Sequence, residues 1–365
     1  MYNLINLLAM TCGKTFIGFL LYITVAMPLS AQNLFVGGNV RYGHILCNNA
    51  EARANINSPS CGFSVYIDDN LTGDEWWHYY WKYPSFGLEL SYDYIDNSLT
   101  GNKVGVLFFI RPSVYKSRHL SADVFLGLGL SYLSKTNSVA NPRNVYIGSH
   151  INALINLGGQ INWFLTDNVA LTAGARFTHS SNGQLVRPNL GLNFWQVEVG
   201  AEYYWGGYHY DVPVATYGFS KYGAINISFS SGMAESLHNG RHYFASVLSI
   251  AYSRSFYPCF SYGVGYDFMY NGTISSALPG ANMAAAECFS QGVVANFESR
   301  WGRVALRVGV GAYIVNGKYH KQPFYERAGL FYYLGSLQRQ YIGVSIKAHA
   351  FSAEFIEWTY GISLR

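Results

Sequence analysis

A histidine, a serine and an asparagine in the stretch 168–195 (NVALTAGARFTHSSNGQLVRPNLGLNFW) have the types and spacing of an ester-cleaving centre. Such a centre needs a hydroxyl nucleophile, a base to take its proton, and a third group that fixes the tautomer of the base. His179 and Ser181 stand two residues apart, so on a strand they project from one face. A return strand begins near residue 190, and a hairpin register that sets 179 opposite 193 adds Asn193 to that face. An asparagine orients an imidazole through its amide oxygen, but it cannot offset imidazolium charge as a carboxylate does. The backbone N–H groups around Asn182 and Gly183 are candidate oxyanion donors, and Gly183 permits the turn that such a nest needs. Ser180 falls on the opposite face and is the poorer nucleophile.

The elements that must position these groups are two amphipathic strands. Val169, Leu171, Ala173, Ala175 and Phe177 form the row that continues into His179 and Ser181. Ala170, Thr172, Gly174, Arg176 and Thr178 form the other row. On the return strand Gly191, Asn193, Trp195, Val197 and Val199 oppose Phe194, Gln196, Glu198, Gly200 and Glu202. The candidate catalytic groups therefore lie on the apolar side. Arg176 and Glu198, on the polar side, read as an ion pair supporting both strands.

Composition says what the apolar side faces. Half of the 365 residues are hydrophobic, only 12% are charged, and there are 31 Tyr, 23 Phe and 38 Gly. A soluble domain carries about 25% charged residues. A helical membrane protein shows runs of about 18 or more apolar residues, and past the N-terminus there are none. Weak charge, many aromatics and alternation point to a transmembrane barrel, in which only alternate residues meet lipid. The net charge of +4 is too small and scattered to argue for a nucleic-acid partner.

Residues 1–31 read as a cleaved signal peptide. Lys14 precedes the apolar stretch Phe16 to Met27, and Leu29-Ser30-Ala31 precedes Gln32. Cys12 leaves with that segment. In an oxidising compartment Cys47 and Cys61 could staple one loop, whereas Cys259 and Cys288 are expected at opposite ends of neighbouring strands, too far apart to bond. No cysteine or histidine spacing resembles a metal site, and no cofactor is implied.

Strands are predicted at 34–46, 85–95, 104–114, 120–133, 148–165, 168–179 and 190–205, then at 220–231, 241–255, 260–271, 289–300, 303–315, 325–335, 340–350 and 353–364. Bacterial barrels have even strand numbers, so this odd set lacks a member, expected at Trp76–Tyr83 in the segment 47–83. The result is an all-β fold, one transmembrane antiparallel β-barrel of about 14–16 strands over residues 32–365. Segment 206–219 divides it into a half at 32–205 that carries the motif and additional strands at 206–365. Two consecutive small barrels are the other arrangement. A tight periplasmic turn at 166–168 would carry His179 to the external rim. The aromatics of 76–83 suit interfacial anchoring, and Lys347 with Glu357, beside His349, reads as a second interior ion pair. Lumen-facing Arg303 and Arg307 would suit a different class of function, a porin or uptake channel.

His179-Ser180-Ser181-Asn182-Gly183, followed by Pro188-Asn189 and Gly191, resembles the active-site segment of the outer-membrane lipid A 3-O-deacylases. The resemblance covers roughly residues 34–205. It implies a base at His179, a nucleophile at Ser181, and lipid A of lipopolysaccharide as the substrate partner. The third position of that family is a glutamate, and Asn193 stands there. Over its whole length the chain is similar to longer proteins of Bacteroidetes-type bacteria identified as acyloxyacyl hydrolases; the stretches are Tyr83-Pro84-Ser85-Phe86-Gly87, GYDFMYN at 265–271 and IKAHAFSAEFIEWTYG at 346–361. Outer-membrane phospholipase A has a similar His-x-Ser-Asn-Gly segment and an asparagine at the Ser181-to-Asn193 interval, but its Arg- and Ser-rich run is replaced here by Pro188-Asn189-Leu190-Gly191. The expectation is a membrane-embedded serine esterase removing an acyl chain from lipid A, with phospholipase A as the alternative.

Overall fold

The structure is a computed structural model that describes residues 33–46, 58–71, 75–210, 219–236, 239–276, 285–316, 322–349 and 352–365. The expected signal peptide, Cys12 and Cys47 lie outside the described residues, so the Cys47–Cys61 pairing does too.

The first set of strands is β1 (Leu34–Leu46), β2 (Pro59–Asn70), β3 (Ser85–Ile95), β4 (Lys103–Arg111), the short β5 (Ser113–Lys116), β6 (Leu120–Leu133), β7 (Ile151–Phe164), β8 (Val169–Ser181) and β9 (Leu192–Tyr204). The second set is β10 (Gly223–Glu235), β11 (His242–Tyr257), β12 (Phe260–Asn271), β13 (Phe289–Trp301), β14 (Val304–Val315), β15 (Phe324–Leu334), β16 (Gln340–His349) and β17 (Ser352–Leu364). Nearly every neighbour pair is sequential and antiparallel, as alternation with short connections favours. β9 returns to pair with β1, and β4 pairs with β6, which closes the first barrel on eight long strands. β17 returns to β10 and closes the second, again on eight.

Two barrels therefore replace the single barrel of about 14–16 strands. Alternation specifies which face of each strand meets lipid, but not which strand closes on which. Eight strands already suffice for a closed wall whose interior is filled by side chains. The missing strand is β2, not Trp76–Tyr83. In β2 the outward Phe63, Val65 and Ile67 are exposed while Ser60, Ser64, Tyr66 and Asp68 are buried in the lumen. Trp76–Tyr80 instead forms a short helix, α1, ended by Lys82 and Tyr83 at positive φ. An unbroken aromatic run offers no polar row for a lumen, so it makes a poor barrel strand.

The outer walls are aliphatic and aromatic, with Val40, Val197, Val199, Ile250 and Val264 all about half exposed or more. The lumen of the first barrel is charged. Arg176 binds Glu198 at 2.7 Å and Glu89 at 2.6 Å. Arg41 and Lys103 hold Asp93 at 2.8 and 3.1 Å, while Arg111 joins Asp68 at 2.8 Å to Glu202 at 2.5 Å. Interior charges that are paired and hydrogen-bonded in this way avoid the desolvation penalty of lone ones. The second lumen also holds paired charges, among them Arg327 with Asp267 at 3.1 Å and Arg307 with Glu298 at 2.6 Å. Lys347 pairs with Glu354, and the expected Lys347–Glu357 pair is not formed: Glu357 bonds Ser345 at 2.8 Å and lies 3.0 Å from Arg327.

The barrels touch near both ends. At the end bearing the 165–168 turn, Trp77, Trp81 and Ile110 of the first pack with Cys259, Phe260 and Trp301 of the second, and Trp81 Nε1 donates to Arg300 O at 3.1 Å. The aromatics expected to anchor at the membrane interface thus seal one barrel against the other. At the opposite end the contact is the loop after β8.

Candidate functional site

β8 and β9 pair in the register that sets His179 opposite Asn193. Arg176, Thr178 and Ser180 point into the lumen and are buried. His179, in the other row, therefore stands on the outer wall with Asn193, next to the exposed Trp195. His179 Nδ1–H donates to Asn193 Oδ1 at 2.6 Å. That bond leaves Nε2 as the basic nitrogen of a neutral ring. Ser180 Oγ, the poorer candidate nucleophile, faces inward and accepts from Ser131 Oγ at 3.1 Å.

Ser181 lies at the end of β8, one step of the outward row beyond His179, and only 5% of it is exposed. Its Oγ accepts from Gly183 N–H at 3.2 Å and from Asn189 Nδ2 at 2.8 Å. No hydrogen bond joins it to His179. Both of its partners are donors, so the hydroxyl proton is left free to turn towards a base. Of the two amides expected to receive an oxyanion, Gly183 N–H points at the serine oxygen itself. The other, Asn182 N–H, is occupied by Asn189 Oδ1 at 3.2 Å.

The loop 182–191 is a knot of amide side chains. Asn182 Nδ2 bonds Ser149 Oγ at 2.9 Å and Val186 O at 2.8 Å. Gln184, buried and at φ 68, donates from Nε2 to Asn189 O at 3.1 Å. Gly191 N–H bonds Tyr146 O at 3.0 Å, tying the loop to the β6–β7 connection. Two glycines are needed for close approach. Gly191 has φ 77, and a Cβ there would sit 2.7 Å from Cε1 of His179; Gly183 has φ 63, and a Cβ there would overlap Cγ1 of Ile356. The first sets the room for the imidazole, and the second lets the other barrel approach.

Spacing did not assign roles to Asn189 and Gln184. Asn189 stood in the sequence within the Pro188-Asn189 stretch, and only the loop's fold aims its amide back at residue 181. Arg187, in the same loop, has its guanidinium pKa lowered by burial, an effect the Glu235 carboxylate opposes. At the far contact, burial pushes the Cys259 thiol up to about 12. Arg176 and Glu198 form the expected pair and lie directly behind the strands that carry the site.

No curated protein matches the chain. Among solved structures, the outer membrane enzyme PagL is 14% identical, with 45% of this chain and 97% of that one covered and a TM-score of 0.34. Neisserial surface protein A is also 14% identical, covering 49% of this chain and 100% of its own, with a TM-score of 0.33. OccK5 (OpdH) of Pseudomonas aeruginosa is 9% identical, with 91% of this chain and 97% of that one covered and a TM-score of 0.23. Family models are more specific. Residues 62–202 match the model described as lipid A 3-O-deacylase (PagL), and residues 208–365 match that described as acyloxyacyl hydrolase, C-terminal domain. The first match spans His179, Ser181 and Asn193, the second takes in all of β10–β17, and the chain belongs to the superfamily of lipid A 3-O-deacylases and acyloxyacyl hydrolases.

Proposed function

We propose that the protein is an outer-membrane serine esterase that removes an ester-linked acyl chain from lipid A. The observation that carries this reading is the His179–Asn193 bond of 2.6 Å, beside Ser181, on the lipid-facing row of β8 and β9. A base on an outer wall can meet an acyl ester arriving laterally in the membrane, which a lumen residue cannot. Family membership supports lipid A as the substrate class.

A rotation of Ser181 about its Cα–Cβ bond presents the hydroxyl to His179 Nε2. Catalytic hydrogen bonds are often long or absent before substrate binds. Ser181 Oγ attacks the ester carbonyl carbon as its proton passes to His179. Asn193 keeps Nδ1 protonated, and Gly183 N–H and Asn189 Nδ2, freed from the serine oxygen, turn to the developing oxyanion. The sugar hydroxyl leaves with the proton from His179. Water, deprotonated by the same base, then attacks the acyl-enzyme and releases the fatty acid. A neutral Asn193 gives less support to the imidazolium than a glutamate would, so the reading predicts a slow enzyme.

Mass spectrometry of lipid A and phospholipids from outer membranes bearing the wild-type chain or Ser181→Ala tests this. Loss of one acyl chain from lipid A, dependent on Ser181, is the expected result. Lysophospholipid with intact lipid A would replace the reading with a phospholipase, and unchanged lipids of both kinds would leave the chain no esterase role. The lumen of the first barrel, filled by the paired charges above, gives a channel little support.

A further inference from the structure

The second barrel grips the loop that holds Ser181. Arg187 N–H donates to Glu235 Oε2 at 2.6 Å, and Arg187 Nε donates to Glu235 O at 3.0 Å. Glu235 N–H in turn reaches Gln184 O at 3.4 Å, and His242 Nε2 donates to Leu185 O at 2.7 Å. Ile356 packs against the bare Cα of Gly183. Three strands of the second barrel, β10, β11 and β17, thus supply contacts to residues 183–187 of the first.

Most of these contacts are made to main-chain groups. An aliphatic contact only covers area, whereas a carboxylate on a backbone N–H and an imidazole on a carbonyl fix where the chain runs. The carboxylate bond is charge-assisted, the stronger kind. Lipid tails are as apolar as the barrel walls, so little hydrophobic force presses two barrels together in a membrane. Specific polar contacts at the rim then carry much of the alignment. The path from that alignment to the serine is short: Gln184 bonds Asn189 O, and Asn189 Nδ2 bonds Ser181 Oγ.

We propose that the second barrel acts as a positioning element for the hydrolytic site. Glu235 is its main positioning residue: its carboxylate holds the Arg187 N–H, and through it the loop, so that Asn189 and Gly183 stay aimed at Ser181. This rests on the esterase reading of Ser181. It assigns β10–β17 a part in that reaction although they bear no catalytic spacing of their own.

The test uses the full chain in outer-membrane vesicles, with Glu235→Ala and Glu235→Gln. Amide hydrogen exchange of the peptide spanning 182–190 reports the grip, and kcat and KM for Ser181-dependent lipid A deacylation report its consequence. Glutamine keeps an acceptor for Arg187 N–H, so Glu235→Gln is expected to retain most of the protection and rate. Glu235→Ala is expected to exchange faster in this peptide and to lose about tenfold in kcat with KM little changed, as a small misplacement of reacting groups does. Heat-modifiable gel mobility verifies that both variants are folded barrels, and His242→Ala gives the same readouts if Glu235→Ala does not fold. Unchanged exchange overturns the proposal. So does faster exchange with undiminished kcat, because the grip would then not serve the site. A wild-type chain that deacylates no lipid overturns the esterase reading itself, an outcome distinct from an active wild type beside an equally active Glu235→Ala.

Discussion

The first barrel fills its interior with long charged side chains, whereas the second lines part of its interior with small polar ones. Arg41, Arg111, Arg176, Glu89 and Glu202 are all nearly inaccessible and bridge across the first lumen. In the second, Asn226, Ser228, Ser230, Ser249 and Gly309 border a small cavity beside Arg307 and Arg327. Both barrels have eight strands and the same apolar outer face, so the difference is not one of architecture. It lies in what each wall must hold still. The wall that presents His179 is backed by a cross-linked network, and Arg176 sits three residues from the histidine on the same strand. A rigid element places catalytic groups better than a yielding one. The second barrel acts at its rim, where its interior matters less.

The sharpest way to break this contrast is at the proposed nucleophile. Ser181→Ala is expected to lower deacylation by a factor of about 10³ or more, with folding and heat stability unchanged. A comparable loss from any lumen serine of the second barrel would erase the distinction. Next in size is the network itself. Arg176→Ala strands Glu198 and weakens the hold on Glu89, and is expected to cost about 3–5 kcal/mol of stability, read by thermal unfolding in detergent. Gly191→Ala should leave the barrel standing but push a methyl against the His179 ring, lowering kcat by about 10–100-fold. Asn193→Ala should fall in the same range and stay milder than His179→Ala, because it removes the orienting group and spares the base. The smallest effect belongs to the second lumen. Ser230→Ala breaks a 2.8 Å bond to Thr359 Oγ1 and is expected to cost about 1 kcal/mol or less.

The alternating rows make the all-β class, most strands and the outward row of His179 legible in the sequence. The 179–193 register was legible because a hairpin with one apolar face allows few alternatives. Strand β2 was hidden because its inward residues, Ser60, Gly62, Ser64 and Asp68, have the composition of a loop. Closure was hidden for a different reason. Pairing of β1 with β9 and of β10 with β17 joins residues far apart in sequence, and nothing local to either strand encodes it. The amide knot was hidden too, since Asn189 acts through a loop conformation and not through a period. What the sequence showed least was the grip of Glu235 on Arg187, a contact between parts that are each complete barrels.

An even strand count has a further consequence for how such a chain is put together. A closed wall of eight strands delivers the chain back to the side it came from, so the exit of β9 and the entry of β10 lie on one side of the membrane. Each unit also seals itself by joining its own first strand to its own last, with no strand borrowed from its neighbour. Such units behave like beads threaded from one side: one can be appended to another without redrawing either, and both keep their loops facing the same way. That geometry makes it simple for one barrel to stand beside another and bear on its neighbour's proposed site through a few residues at its edge.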